Sequence, residues 1–360
     1  LIPARHAALF FVALEDIAGI APFGGGHVND TFLLTLTTGE ERILQRINPE
    51  VFPDPALVMR NLRLVTEHLR TGNSARADDA PPWQPLALYE GAGGDTYLAE
   101  DGAAWRLLNR IRGGHPRQAI GTAQQARELG RALGYFHRTL ASLDSALLAD
   151  TLPGFHVTPR YLARYDQVQT RTEDRAGQES LFCRQFIEQR RATASLLEMR
   201  RGELTSRIIH GDPKVANFLF DDEGERVISL IDLDTVKPGL LLHDLGDALR
   251  SCCNPTGETP ADPERVFFAP DLFAAWLAGY RSEARALLSG EDLRLLIEAV
   301  ALIAFELGLR FYTDHLEGNR YFKVTEPGQN LRRALTQFQL TRSIEHQRDK
   351  LTAIAATVAG

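Results

Sequence analysis

The chain is poor in cysteine and methionine and has no excess of positive charge, and each shortage removes a class of function. Its three cysteines, Cys183, Cys252 and Cys253, form no CxxC pair and no even framework. A disulfide scaffold and a zinc site are therefore ruled out as organising features, and the composition suits a reducing compartment. Adjacent Cys252 and Cys253 read as small core residues rather than a redox pair. Lys plus Arg number 40 against 47 Asp plus Glu, a formal net charge of −7. No broad basic surface is implied, so nucleic acid is not expected as a partner, although a local basic pocket remains compatible. Long apolar runs are also missing. The apolar stretch 7–14 is cut by Glu15 and Asp16, well short of the roughly 20 residues a membrane span needs, and reads as the first helix. No membrane partner is expected, and the cytoplasm is the default location. Repeats and low-complexity tracts are absent as well.

What is present is an ordinary globular composition, 44% hydrophobic and 24% charged, long enough for two joined lobes. The first third alternates like strands, at 17–23, 31–37, 42–47, 86–90, 96–100 and 103–109, with Asp101-Gly102 as a hairpin turn. One helix interrupts them. Pro53-Asp54-Pro55 opens it, and Leu57, Val58, Leu62, Val65 and Leu69 form its apolar stripe. The segment 71–82 reads as a surface loop. Arg112-Gly113-Gly114-His115-Pro116 then breaks the pattern. The expected division is a strand-rich lobe at 1–111 and a helical lobe at 112–360. In the second part helices are expected at 117–142, 176–200, 243–250, 271–288, 290–316 and 330–357, with short strands at 207–209, 218–220 and 227–231. This is an α+β, bilobal plan with a cleft between the lobes, where ligands collect.

The chemistry concentrates in His210-Gly211-Asp212-Pro213-Lys214-Val215-Ala216-Asn217. Protein kinases carry His-Arg-Asp with an Asn five residues after the Asp, the spacing seen here. An Asp at this place accepts the proton of an acceptor hydroxyl. The Asn, one tight loop later, offers an amide oxygen to a hard cation without adding negative charge beside phosphates. Ile231-Asp232-Leu233-Asp234 follows a short strand, and Asp232 falls where the kinase Asp-Phe-Gly aspartate bridges the metals. Asp234 either orients a loop or touches metal. His-Gly-Asp alone is a common turn; the loop, a hairpin turned at Asp221-Asp222-Glu223-Gly224, and Ile-Asp-Leu-Asp together specify a phosphotransferase site. Asp212 is thus the candidate base, Asn217 and Asp232 the candidate Mg2+ ligands, and Lys214 a candidate phosphate contact.

Gly24, Gly25 and Gly26 lie between two strands, where backbone amides can approach phosphates. The Val-Ala-Ile-Lys of protein kinases is missing from the third strand. Strand position puts Gln45 in the Lys slot, whereas charge favours Arg46. The two face opposite sides, and the reading leans to Arg46. Glu67 is a possible helical partner carboxylate, or else a solvated surface charge. The adenine is expected against the segment around Asn109 and Ile111.

These segments resemble the aminoglycoside phosphotransferase and choline kinase superfamily, which shares the protein-kinase fold. The likeness spans nearly the whole chain. Within the superfamily, Gly25-Gly26-His27-Val28-Asn29-Asp30-Thr31, Ile43-Leu44-Gln45-Arg46-Ile47-Asn48, Asp232-Leu233-Asp234-Thr235-Val236, His243-Asp244-Leu245-Gly246-Asp247 and Arg310-Phe311-Tyr312-Thr313-Asp314 resemble N-acetylhexosamine 1-kinases. Gly211 departs from that subgroup, which more often has Asn there. The resemblance implies ATP and Mg2+ as cofactors. It further implies transfer of the γ-phosphate to the anomeric hydroxyl of an N-acetylhexosamine, with His27 touching the sugar.

Arg310, on a mostly apolar helix, and Arg320 with Tyr321 shortly after, are the candidate acceptor contacts beside Asp212 and Asp232. Such a pocket repels polycationic aminoglycosides, and no dense aromatic cluster for choline is evident. A small-molecule sugar is the expected partner, for a monomer or homodimer. Kinases acting on N-acetylmuramate, homoserine, an amino alcohol or an aminoglycoside are the alternatives, with a pseudokinase binding module behind them. No long activation segment with Ala-Pro-Glu follows Asp232, which argues against a protein kinase.

Overall fold

A computed structural model describes residues 2–24, 28–74, 83–170 and 177–359. The candidate residues Gly25, Gly26 and His27 lie outside them, as does 75–82 of the expected surface loop. A first helix, α1 (Ile2–Phe11), precedes three antiparallel strands, β1 (Ile17–Pro22), β2 (Asp30–Leu36) and β3 (Glu41–Ile47), and then α2 (Pro55–Ser74). Strands β4 (Leu88–Tyr89), β5 (Leu98–Glu100) and β6 (Ala103–Asn109) complete the sheet. Its order is β1-β2-β3-β6-β4, with β5 on β6.

Strand alternation gives this sheet two different faces. Leu34, Leu36, Leu44, Trp105 and Leu107 bury one face under Ala4, Ala7 and Ala8 of α1. Ile47, Ala104 and Leu108 on the other face join Val58, Leu62, Val65 and Leu69 of α2 in a core that runs on into the helical part. That second face is the one that meets the helical part.

The remainder is helical around short strands. β7 (His115–Pro116) leads to α3 (Ala123–Leu140), α4 (Thr158–Gln169), α5 (Gln178–Arg190) and α6 (Leu196–Met199). Next come β8 (Ser206–Ile209), β9 (Phe218–Phe220), β10 (Val227–Leu230) and β11 (Lys237–Leu240). α7 (Leu241–Cys252), α8 (Pro270–Ala284), α9 (Gly290–Leu316), α10 (Gln329–His346) and α11 (Arg348–Ala359) close the chain. β9 pairs with both β10 and β7, and β8 pairs with β11.

α3 and α8 touch backbone to backbone, since a Cβ on Gly130 would lie 2.0 Å from the Trp276 carbonyl oxygen. α9 starts from a capping box, with Ser289 and Asp292 satisfying each other's backbone N–H groups. It is buried along most of its length, which makes it the spine of the helical part.

Several expected elements differ in extent. Thr122 caps α3, so the helix starts at Ala123 rather than 117. The expected helix 176–200 is α5, a 3₁₀ stretch Arg191–Ser195 and α6; the expected helix 330–357 breaks at Gln347 into α10 and α11. α4 was not anticipated. Among the described residues no helix is long and apolar enough to cross a membrane.

Candidate active site

β8 and β11 pair with Ile209 opposite Lys237, which brings the catalytic loop beside the segment that carries Asp232. The loop turns at Gly211, whose φ is +89° and where a Cβ would stand 2.8 Å from the Thr235 carbonyl oxygen. Only glycine fits there without displacement. Beneath the turn, buried Asp244 of α7 accepts the His210 N–H at 2.6 Å and the Gly211 N–H at 2.8 Å. His137 of α3 sits 2.8 Å from the same carboxylate. Burial is the largest single influence and works against the Asp244 charge, but His137 and the His210 backbone N–H together outweigh it and keep the carboxyl below its ordinary range.

His210 ties the two acidic segments together. Its Nε2 donates to the Ile231 carbonyl at 2.9 Å and its Nδ1 accepts the Asp212 N–H at 3.2 Å. A ring that donates at one nitrogen and accepts at the other is neutral. Burial, which pulls its pKa down, agrees.

The Asp212 side chain lies 2.5 Å from the Lys214 Nζ. Burial would raise the Asp212 pKa; the Lys214 ammonium overrides it, so the carboxylate stays charged. Burial opposes the Lys214 charge in turn, and Asp212 with Asp232 overcomes that. Asn217 donates through Nδ2 to the Asp212 carbonyl oxygen at 2.7 Å and lies 3.3 Å from its carboxylate. With its NH₂ turned to Asp212, the Asn217 Oδ1 is left as an acceptor.

Asp232 is held in the left-handed region, φ 65° and ψ 57°. That is an uncommon place for a non-glycine residue, and such strain collects at functional sites. Water reaches its side chain from the cleft. Even so, the protein massed around the cleft floor, and then the like charges of Asp234 and Asp212, push its carboxyl up to about 6. Among the described residues none donates a hydrogen bond to it. A carboxylate without donors, crowded by like charge and joined by an amide oxygen, is an oxygen donor set that suits a hard divalent cation.

Asp234 has a different task. Its carboxylate is buried and takes two hydrogen bonds from Arg106 of β6, at 2.5 and 3.0 Å, and one from Asn29 at 2.8 Å. Of the two roles open to it, loop orientation fits and metal contact does not. Gln45 accepts from the same guanidinium at 2.8 and 3.0 Å and donates to Thr31 at 3.1 Å.

These contacts correct the lean to Arg46. Gln45 is the strand residue on the face that carries Arg106, its partner in the register, and through it meets Asp234. Arg46 lies on the other face, half exposed and 3.6 Å from Asp30. Sequence reasoning missed Arg106, although an arginine among Trp105, Leu107 and Leu108 in a strand is a recognisable signal of a buried ion pair. Glu67 pairs with Arg63 on the exposed side of α2 and is a surface charge.

Other candidates divide similarly. Gly24 has a φ of +71° with open space around it. Asn109 uses its amide on the Ala87 N–H and the Pro85 carbonyl, at 2.7 and 3.2 Å, and Ile111 is buried in the core. Any adenine contact there falls to the backbone of the segment.

Arg310 of α9 sits within an aromatic box. Its guanidinium carbon lies 5.0 Å from the ring centre of Phe155, 5.1 Å from Tyr161, 5.7 Å from Tyr321 and 5.4 Å from Phe322. Among the described residues no carboxylate pairs with it. Burial opposes its charge, and the surrounding tyrosines, Glu306 and Asp212 more than compensate. Tyr321 therefore joins Arg310, whereas Arg320 is exposed and contributes only its backbone N–H, to Asp314 at 2.8 Å.

Comparison with known proteins places this geometry. The phosphotransferase enzyme family matches residues 19–287. An aminoglycoside phosphotransferase from Alicyclobacillus acidocaldarius aligns with a TM-score of 0.63 at 16% identity, covering 99% of this chain and 96% of that one. A microcompartment-associated aminopropanol kinase gives 0.60 at 16% identity, with 98% of each chain covered. A choline kinase from Cryptosporidium parvum gives 0.58 at 12% identity, covering 97% and 94%. At such identities the structural likeness speaks to the fold.

Proposed function

The chain belongs to the phosphotransferase enzyme family, and from that premise we propose that it is an ATP-dependent small-molecule kinase acting on a hydroxyl of a neutral or acidic sugar, the anomeric hydroxyl of an N-acetylhexosamine foremost. The observation that carries the reading is the convergence of Asp212, Lys214, Asn217 and Asp232 on one cleft, held by His210 and Asp244.

In this reading Asn217 and Asp232 would hold Mg2+, which when bound would neutralise charge on the terminal phosphates of ATP. Asp212 accepts a hydrogen bond from the acceptor hydroxyl and orients it for in-line attack. Its depressed pKa makes it a weak base, which suits a loose transition state in which the nucleophile needs aiming more than early deprotonation. Lys214 keeps Asp212 ionised and stands beside the transferring phosphoryl group. Gly24 lies at the start of the loop that would cover the phosphates.

Arg310 supports the acceptor class. A half-buried cation with rings around it and, among the described residues, no carboxylate partner favours hydroxyl, carbonyl or carboxylate oxygens and disfavours ammonium groups. The rings of Tyr161 and Tyr321 offer surfaces on which a sugar can stack. The test is ADP release across N-acetylglucosamine, N-acetylgalactosamine, N-acetylmuramate, homoserine, amino alcohols and aminoglycosides, with the product phosphate located by phosphorus NMR. Turnover confined to cationic acceptors would overturn the sugar assignment. Absence of ADP release with every acceptor would leave a binding module.

A further inference from the structure

The catalytic loop is fastened from below by Asp244 and from the side by a second group that the phosphoryl chemistry does not use. His156 is 4% exposed. Its Nδ1 lies 3.0 Å from the Glu306 Oε1 and its Nε2 lies 2.6 Å from the Gly211 carbonyl oxygen. A carbonyl only accepts, and so does a carboxylate, so two such partners require a hydrogen on each ring nitrogen. The Thr158 hydroxyl donates to the other Glu306 oxygen at 2.7 Å, which suits an ionised carboxylate.

We propose that His156 is a positioning residue held as an imidazolium at neutral pH, which clamps the Gly211 carbonyl and so sets the direction of the Asp212 side chain, the next residue along the chain.

Three further observations agree. His156 sits at a φ of 62°, strain that persists only where surrounding contacts fix the residue. The neighbouring His243 ring, 5.3 Å away, is kept neutral by burial and then by the His156 charge. The groups around His156 are Glu306 of α9, Asp247 and His243 of α7, and Thr158 and Tyr161 of α4. Burial opposes its charge, while Glu306 and then Asp247 favour it.

The clamp also joins two parts of the site. Glu306 lies one helical turn before Arg310 on α9, and Phe155, beside His156 in sequence, forms a wall of the Arg310 box. Glu306, His156 and Gly211 thus connect α9 to the catalytic loop by two hydrogen bonds.

The catalytic half of this inference rests on the kinase reading, whereas the charge on the ring does not, and the experiment separates them. Nitrogen-15 NMR of the full-length, histidine-labelled protein, with His156 assigned by difference from His156→Gln, is expected to show both ring nitrogens protonated at pH 8. A ring with one bare nitrogen there overturns the proposal, whatever the enzyme phosphorylates. In ADP-release kinetics His156→Gln is expected to lower kcat on the order of 10²-fold with little change in either KM; a wild-type kcat overturns the positioning role. Glu306→Gln keeps the shape but weakens the hold on the ring's proton. Its activity is expected to fall as pH rises through neutrality, and no such fall counts against the clamp even where His156→Gln does not fold. Failure of every acceptor would sink the kinase reading and leave the ring charge to the spectrum.

Discussion

Asp314, one helical turn beyond Arg310 on α9, builds the wall that covers it. Its carboxylate accepts the successive backbone N–H groups of Arg320, Tyr321 and Phe322 at 2.8, 2.8 and 3.0 Å, and Asn330 donates to it at 2.9 Å. The loop so wrapped lays the rings of Tyr321 and Phe322 beside the guanidinium. Asp314 therefore organises the surroundings of the Arg310 guanidinium.

Replacing the guanidinium tests that arrangement. Arg310→Met preserves length and apolar packing while removing the charge. The KM for the acceptor should rise roughly 10- to 100-fold, the loss of one or two charged hydrogen bonds, with the KM for ATP unchanged. An equal rise in both would mean that Arg310 supports the fold rather than the acceptor.

Asp212→Asn should lower kcat by about 10²–10⁴, the range for a positioned acid–base group, while calorimetry shows ATP binding close to wild type. Near-native turnover would remove Asp212 from its assigned role.

Asp232→Asn should fold normally, because Asn tolerates the left-handed conformation almost as readily as any non-glycine residue. Losing the carboxylate should remove the Mg2+ dependence of nucleotide binding. Calorimetry with and without Mg2+ decides this, and an unaltered response would reassign the metal ligand.

The Arg106–Asp234 pair is buried on both sides, each side chain 2% exposed. Arg106→Met leaves the Asp234 charge with Asn29 alone and should cost about 3–5 kcal/mol in urea unfolding. Adding Asp234→Asn should recover part of that loss, so the double-mutant cycle should show strong coupling. Simple additivity would mean that the two groups do not depend on each other.

Three buried histidines give stability opposing pH trends. His210 and His243 are held neutral, their pKa values lowered by burial. Their contribution is present above the ordinary value of about 6.5 and is lost as pH falls through their depressed values. His156 runs the other way. Its raised pKa means that its stabilisation is complete below about 6.5 and fades as pH rises through the folded value. The stability gap between wild type and His156→Gln should therefore be widest in mild acid and shrink as pH rises. Urea titrations from pH 5 to 9 would show it, and a gap that widens with pH would contradict the charged ring.

The sequence by itself determined the local arrangement of the candidate catalytic loop and the broad plan. The spacing of Asp212, Asn217 and Asp232 is local, set by one tight turn and one hairpin, and short-range geometry is what a sequence encodes directly. The strand-rich beginning and helical remainder were legible for the same reason, from periods of two and 3.6. What tertiary structure alone decided was which distant residues meet. Strand pairing opposed Gln45 to Arg106 and turned Arg46 to the far face, a choice of side that the strand's own sequence leaves open because a shift of one residue inverts it. His156, Glu306 and Gly211 come together from segments far apart in the chain, and only the packing of α9 against the catalytic loop could bring a charge to that carbonyl.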